Sequence, residues 1–60
     1  MRLIKLPEVI KMTSLGRSSI LKLVNNKSFP QPVTVIGRAC AWVESEVQDW
    51  IEARINERDE

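Results

Sequence analysis

Arg17, Ser18, Ser19, Lys22 and Asn25 fall within nine residues of one another. Together they offer a forked guanidinium, an ammonium, two hydroxyls and a carboxamide, the donors that phosphate oxygens and the edges of nucleobases accept. Leu21 stands among them, and Lys27 and Arg38 add cations further along. No carboxylate interrupts the stretch from Val9 to Val43, so a polyanion meets no local repulsion there. From Met1 to Val43 seven Lys and Arg face one acid, Glu8, a local net of +6; from Glu44 to Glu60 seven acids face Arg54 and Arg58, a local net of −5. The overall charge of +1 therefore hides a dipolar chain. The plainer reading of the basic stretch is an ordinary solvated surface, and only its coincidence with an element that presents it decides against that.

Other chemistry is poorly supplied. The chain has no His and a single cysteine, Cys40, which rules out an internal disulfide and the usual zinc sites and fits a reducing compartment. Ser18 and Ser19 have no imidazole to activate them, and Glu44, Glu46 and Asp49 lie on one helical stretch without a cleft. We therefore expect no enzyme, no cofactor, no metal and no small-molecule substrate. Neither a signal peptide nor an apolar run of about 20 residues is present, which points to a cytoplasmic protein without a membrane partner. Sixty residues, 43% of them hydrophobic, suffice for one domain over residues 1–60. A domain of that size buries only about 60% of its unfolded surface, which makes a deep pocket improbable.

The elements that must position the basic residues can be read from spacing. Arg2 to Leu6 alternates as a short extended entry, and Pro7 with Glu8 then opens a first helix, Pro7 to Met12, with Val9 and Ile10 inward. Thr13-Ser14-Leu15-Gly16 breaks it. A second helix is predicted over Arg17 to Asn25, capped by Gly16 and stopped at Asn25-Asn26. Ile20, Leu23 and Val24 share its inner face, leaving Arg17, Ser18, Leu21, Lys22 and Asn25 outside. Two short helices joined in this way form a helix-turn-helix pattern. Phe29-Pro30-Gln31-Pro32 must be extended. Val33-Thr34-Val35 and Cys40-Ala41-Trp42 then read as a hairpin turning at Gly37 and Arg38. Simple alternation puts Val33, Val35, Cys40 and Trp42 inward and Thr34, Ala39 and Ala41 outward, so that Cys40 serves as a small hydrophobe. A third helix follows from Glu44 to Glu57, with Val47, Trp50, Ile51 and Ile55 as its buried stripe, Asp49, Glu52, Arg54 and Arg58 outside, and Arg58 to Glu60 frayed. Both Trp42 and Trp50 read as core residues.

This order resembles a known family, the AlpA-like prophage regulators, relatives of MerR-type winged helix-turn-helix proteins and phage excisionases. The resemblance covers nearly the whole chain. It rests on Arg2-Leu3-Ile4-Lys5-Leu6-Pro7-Glu8-Val9, Leu15-Gly16-Arg17-Ser18-Ser19-Ile20, Phe29-Pro30-Gln31-Pro32-Val33, Gly37-Arg38-Ala39 and Trp42-Val43-Glu44-Ser45-Glu46-Val47-Gln48-Asp49-Trp50-Ile51. It departs at Gly16, where the family commonly has Ser or Thr, and at Leu21, where an aromatic is common. The resemblance implies an α+β winged helix-turn-helix with a two-stranded wing between the second and third helices. It further implies a DNA-binding transcriptional regulator or excisionase-type directionality factor of an integrated element. Carried over residue by residue, Arg17, Ser18, Ser19, Leu21, Lys22 and Asn25 become major-groove contacts, and Gly37 and Arg38 wing contacts. Lys5, Lys11 and Lys27 are further candidates for phosphate, from their charge alone. Double-stranded DNA is the expected partner, with an integrase or RNA polymerase and self-association on DNA as additional ones. A protein-interaction module acting through the acidic third helix or exposed Leu21 is the rival reading.

Overall fold

The computed structural model describes residues 2–37 and 39–58. The chain runs β1 (Leu3–Ile4), α1 (Leu6–Thr13), α2 (Arg17–Asn25), β2 (Val33–Ile36), β3 (Ala39–Val43) and α3 (Glu44–Arg58). This is a small α+β domain, three helices and a hairpin, consistent with a winged helix-turn-helix. The extended entry proves to be a strand. Leu3 pairs with Val43 and Ile4 with Trp42, making an antiparallel sheet in the order β1-β3-β2. Two paired residues carry too little alternation to be distinguished in a sequence from a linker.

Each helix boundary has a local cause. Lys5, extended at φ −91°, precedes α1, with Pro7 in its first turn and Glu8 near its positive end. At its other end the Thr13 hydroxyl donates to the Val9 carbonyl at 2.9 Å, and Ser14 adopts a left-handed φ of 62°. The Leu15 amide then donates back to the Thr13 hydroxyl, so the turn to α2 closes on its own side chains. α2 ends in a Schellman motif: Lys27 sits at φ 59°, its amide donates to the Val24 carbonyl and the Ser28 amide to that of Leu23.

The core is one cluster in which every helix and two strands take part. Ile4, Val9, Ile20, Phe29, Trp42 and Val47 are buried, and Leu6, Ile10, Met12, Leu15, Leu23, Val24, Trp50 and Ile51 pack around them half-buried. Phe29, read from sequence only as part of a proline-rich entry, belongs to this centre and meets Trp50 edge to face at 4.8 Å.

Five burial expectations are corrected. Val33, Val35 and Cys40 are exposed, and Ala41 is buried beside Trp42. Adjacent strand residues point to opposite faces, so burial of both Ala41 and Trp42 means that β3 is covered on both faces at its base, whereas towards the turn neither face is. The pairing Val33 to Ala41, Thr34 to Cys40, then Ile36 to Ala39 also contains a bulge at Val35, which breaks the simple alternation assumed for the hairpin. Ile55 is 45% exposed, because the later turns of α3 run past the small body that covers Val47. α3 remains helical to Arg58, one residue beyond the expected end; Asp59 and Glu60 lie outside the described residues.

Candidate nucleic-acid interface

α2 turns Ile20 fully inward, and Leu23 and Val24 partly so. The same helical period brings Arg17, Ser18, Leu21, Lys22 and Asn25 to the surface, all exposed, with Ser19 exposed on the flank. Among the described residues no carboxylate pairs with Arg17, Lys22 or Lys27. Arg17 stands in the first turn, where the helix dipole is positive and no acid accompanies it. A cation there weakens a helix by a few tenths of a kcal/mol.

Gly16 caps α2 in an extended conformation without a side-chain bond, and a Cβ at Gly16 would meet nothing within 4 Å. The helix entrance is therefore open. Lys27 lies at the far end, exposed, just past the last turn of α2. Of the other cations expected to meet phosphate, Lys5 and Lys11 are exposed. Arg2 is not a free cation: it is bonded to Glu44 at 2.6 Å, next to the backbone bond from the Glu44 amide to the Arg2 carbonyl.

The second candidate surface is the hairpin. Gly37 turns it with φ +52°, a left-handed conformation that costs a side-chain-bearing residue about 1 kcal/mol or more. Val35 and Ile36 beside it are 56% and 76% exposed. Arg38, expected at the tip, lies outside the described residues.

What relates α2 to the hairpin is a segment that sequence reading passed over as a mere connection. An extended, proline-rich stretch has no ladder to satisfy its carbonyls, and here side chains do so. The Trp50 indole donates to the Ser28 carbonyl at 2.9 Å, the Gln31 amide to that of Phe29 at 3.2 Å, and the Trp42 indole to that of Pro30 at 3.0 Å. Gln31 also donates to the Val24 carbonyl at 3.0 Å, tying the segment to the end of α2. Arg54 covers the Trp50 ring at 5.3 Å and pairs with Glu57. The one signal available in the sequence was the presence of two tryptophans and a glutamine, each with a donor to satisfy, near carbonyls that prolines exclude from ladders.

An open groove is lined by Pro30, Gln31, Val33, Val43, Glu46 and Asp49. Among the described residues no group of His, Cys, Asp and Glu could hold a metal ion, and no helix is long and apolar enough to cross a membrane.

Comparison with known proteins agrees with this architecture. The chain is 39% identical over 54 residues to the uncharacterized protein ORF88 of Enterobacteria phage P4, a match that takes in 90% of this chain and 61% of that protein. It therefore spans about three fifths of the length of the phage protein. It is 30% identical over 59 residues to the DNA-binding transcriptional activator AlpA of Escherichia coli (strain K12), covering 88% of this chain and 84% of that one. The family profile described as Prophage CP4-57 regulatory protein (AlpA) matches residues 2–55, nearly the whole of the described chain. By this match and by its likeness to the Escherichia coli relative, the chain belongs to the AlpA family of prophage regulatory proteins.

Proposed function

We propose that residues 1–60 form one DNA-binding domain that regulates transcription from a prophage or integrated element in the cytoplasm. α2 enters the major groove, and the hairpin wing meets the backbone or the minor groove. The observation that carries this reading is the exposed face of α2, on which Arg17, Ser18, Lys22 and Asn25 gather without a carboxylate. The printed name of the Escherichia coli relative, a DNA-binding transcriptional activator, supports it. Lys27, Gly37 and Arg38 extend the contact along the backbone, with Lys5 and Lys11 as further phosphate ligands. Ser18 and Ser19 contribute hydroxyl donors at the helix entrance, where the dipole also favours phosphate. No step in this function is catalytic. An excisionase-type role in recombination would use the same surface.

A second contact is favoured by the groove beside α3, where Glu46 and Asp49 border the apolar Pro30, Val33 and Val43. A basic, partly apolar segment of an integrase, of RNA polymerase or of another copy would fit it. This does not compete with DNA for α2.

The test is an NMR amide-shift titration with a short duplex of arbitrary sequence at low salt. Shifts over Arg17 to Asn25 together with Gly37 and Arg38 are expected. Absence of shifts there would reject the DNA reading and leave the α3 groove as the first surface to examine.

A further inference from the structure

The face that α2 presents is polar with one exception. Leu21 is 40% exposed, although the other apolar residues of the helix, Ile20, Leu23 and Val24, turn toward the body. It lies four residues after Arg17 and four before Asn25, so the three side chains form one row along the helix surface. A leucine can neither donate nor accept a hydrogen bond. In the major groove the four bases offer donors and acceptors and, on thymine alone, an apolar C5-methyl group. A cytosine at the same place would turn its amino donor toward hydrocarbon and lose the water that satisfied it.

We propose that Leu21 is a specificity residue that recognises the C5-methyl of one thymine, between base pairs read by Arg17 and Asn25. The inference rests on the DNA-binding reading above and deepens it. It assigns the row a chemical order: a forked donor pair for guanine, a methyl contact for thymine, and a carboxamide for adenine. Burying one carbon of this size changes affinity by roughly fourfold.

A preferred duplex is first selected from a randomised pool, and each of its thymines is then replaced singly by uracil, which removes only the methyl group. Wild-type protein is expected to lose roughly fourfold in affinity at one replacement and to tolerate the others. Leu21→Ala is expected to bind the parent duplex roughly fourfold more weakly than wild type and to be indifferent to that replacement. Wild-type indifference to uracil at every position, with Arg17→Ala still costing affinity, would overturn the inference and leave the DNA reading standing. Equal sensitivity of Leu21→Ala and wild type at the same thymine would also overturn it, assigning the methyl to another side chain. If no duplex is retained at all, the DNA reading fails and the inference with it.

Discussion

Arg17 and Lys22 are the two cations on the exposed face of α2, Arg17 in its first turn and Lys22 in its last. Neither touches the core, so their removal separates binding from folding. Arg17→Ala is expected to lower affinity for a preferred duplex by roughly 1–3 kcal/mol, measured by fluorescence anisotropy. Its thermal midpoint should be unchanged or slightly higher, because a cation leaves the positive end of the helix. The opposite pattern belongs to Trp42. Its ring is buried and its indole N–H satisfies the Pro30 carbonyl. Trp42→Phe keeps a ring but leaves that carbonyl without its donor, and should cost about 1–3 kcal/mol of stability in urea denaturation. A loss of DNA affinity larger than the loss of stability would assign this residue to the interface.

Among the elements, the end of α2 holds a lysine in an unusual backbone conformation. Lys27 holds a left-handed φ of 59° in a position where glycine is the usual occupant. Lys27→Gly should therefore raise stability by roughly 0.5–1 kcal/mol. If Lys27 meets phosphate, the same change weakens DNA binding and flattens its salt dependence by about one contact, a pair of opposed effects that denaturation and binding isotherms can follow in one variant. The elements themselves were largely legible: α2 was bounded from Gly16 and Asn25 by cap and stop chemistry, and α1 differs from expectation by one residue at each end. The strand faces were not, because alternation describes a strand covered on one side. The hairpin is covered on both sides at Ala41 and Trp42 and on neither at Val35 and Ile36. The role of Phe29 was hidden for a related reason, since a lone aromatic between polar residues and prolines has no period. On the candidate site, the exposed face of α2 followed from the helical period alone. The clamp of Trp42, Trp50 and Gln31 did not, because both of its indole bonds are made across the fold.

The whole molecule is extended for its length. Its radius of gyration is 11.6 Å, against about 10.4 Å expected of a compact chain of this size. The principal extents are 42 × 25 × 19 Å. Its charge is divided along the chain in the same spirit, net positive up to Val43 and net negative from Glu44. If about five to seven phosphates are met, log affinity plotted against log salt concentration should fall with a slope near −0.9 per phosphate. A nearly flat line would reject binding through the basic face. So small a body also reports on itself. Both indoles in the chain, Trp42 and Trp50, are fastened to carbonyls of one short segment, the one that leads from α2 to the hairpin. Intrinsic emission therefore reports the surroundings of that segment: once anisotropy has established binding, an unmoved spectrum would mean that both indoles keep their carbonyl partners, and a red shift that the segment opens to water.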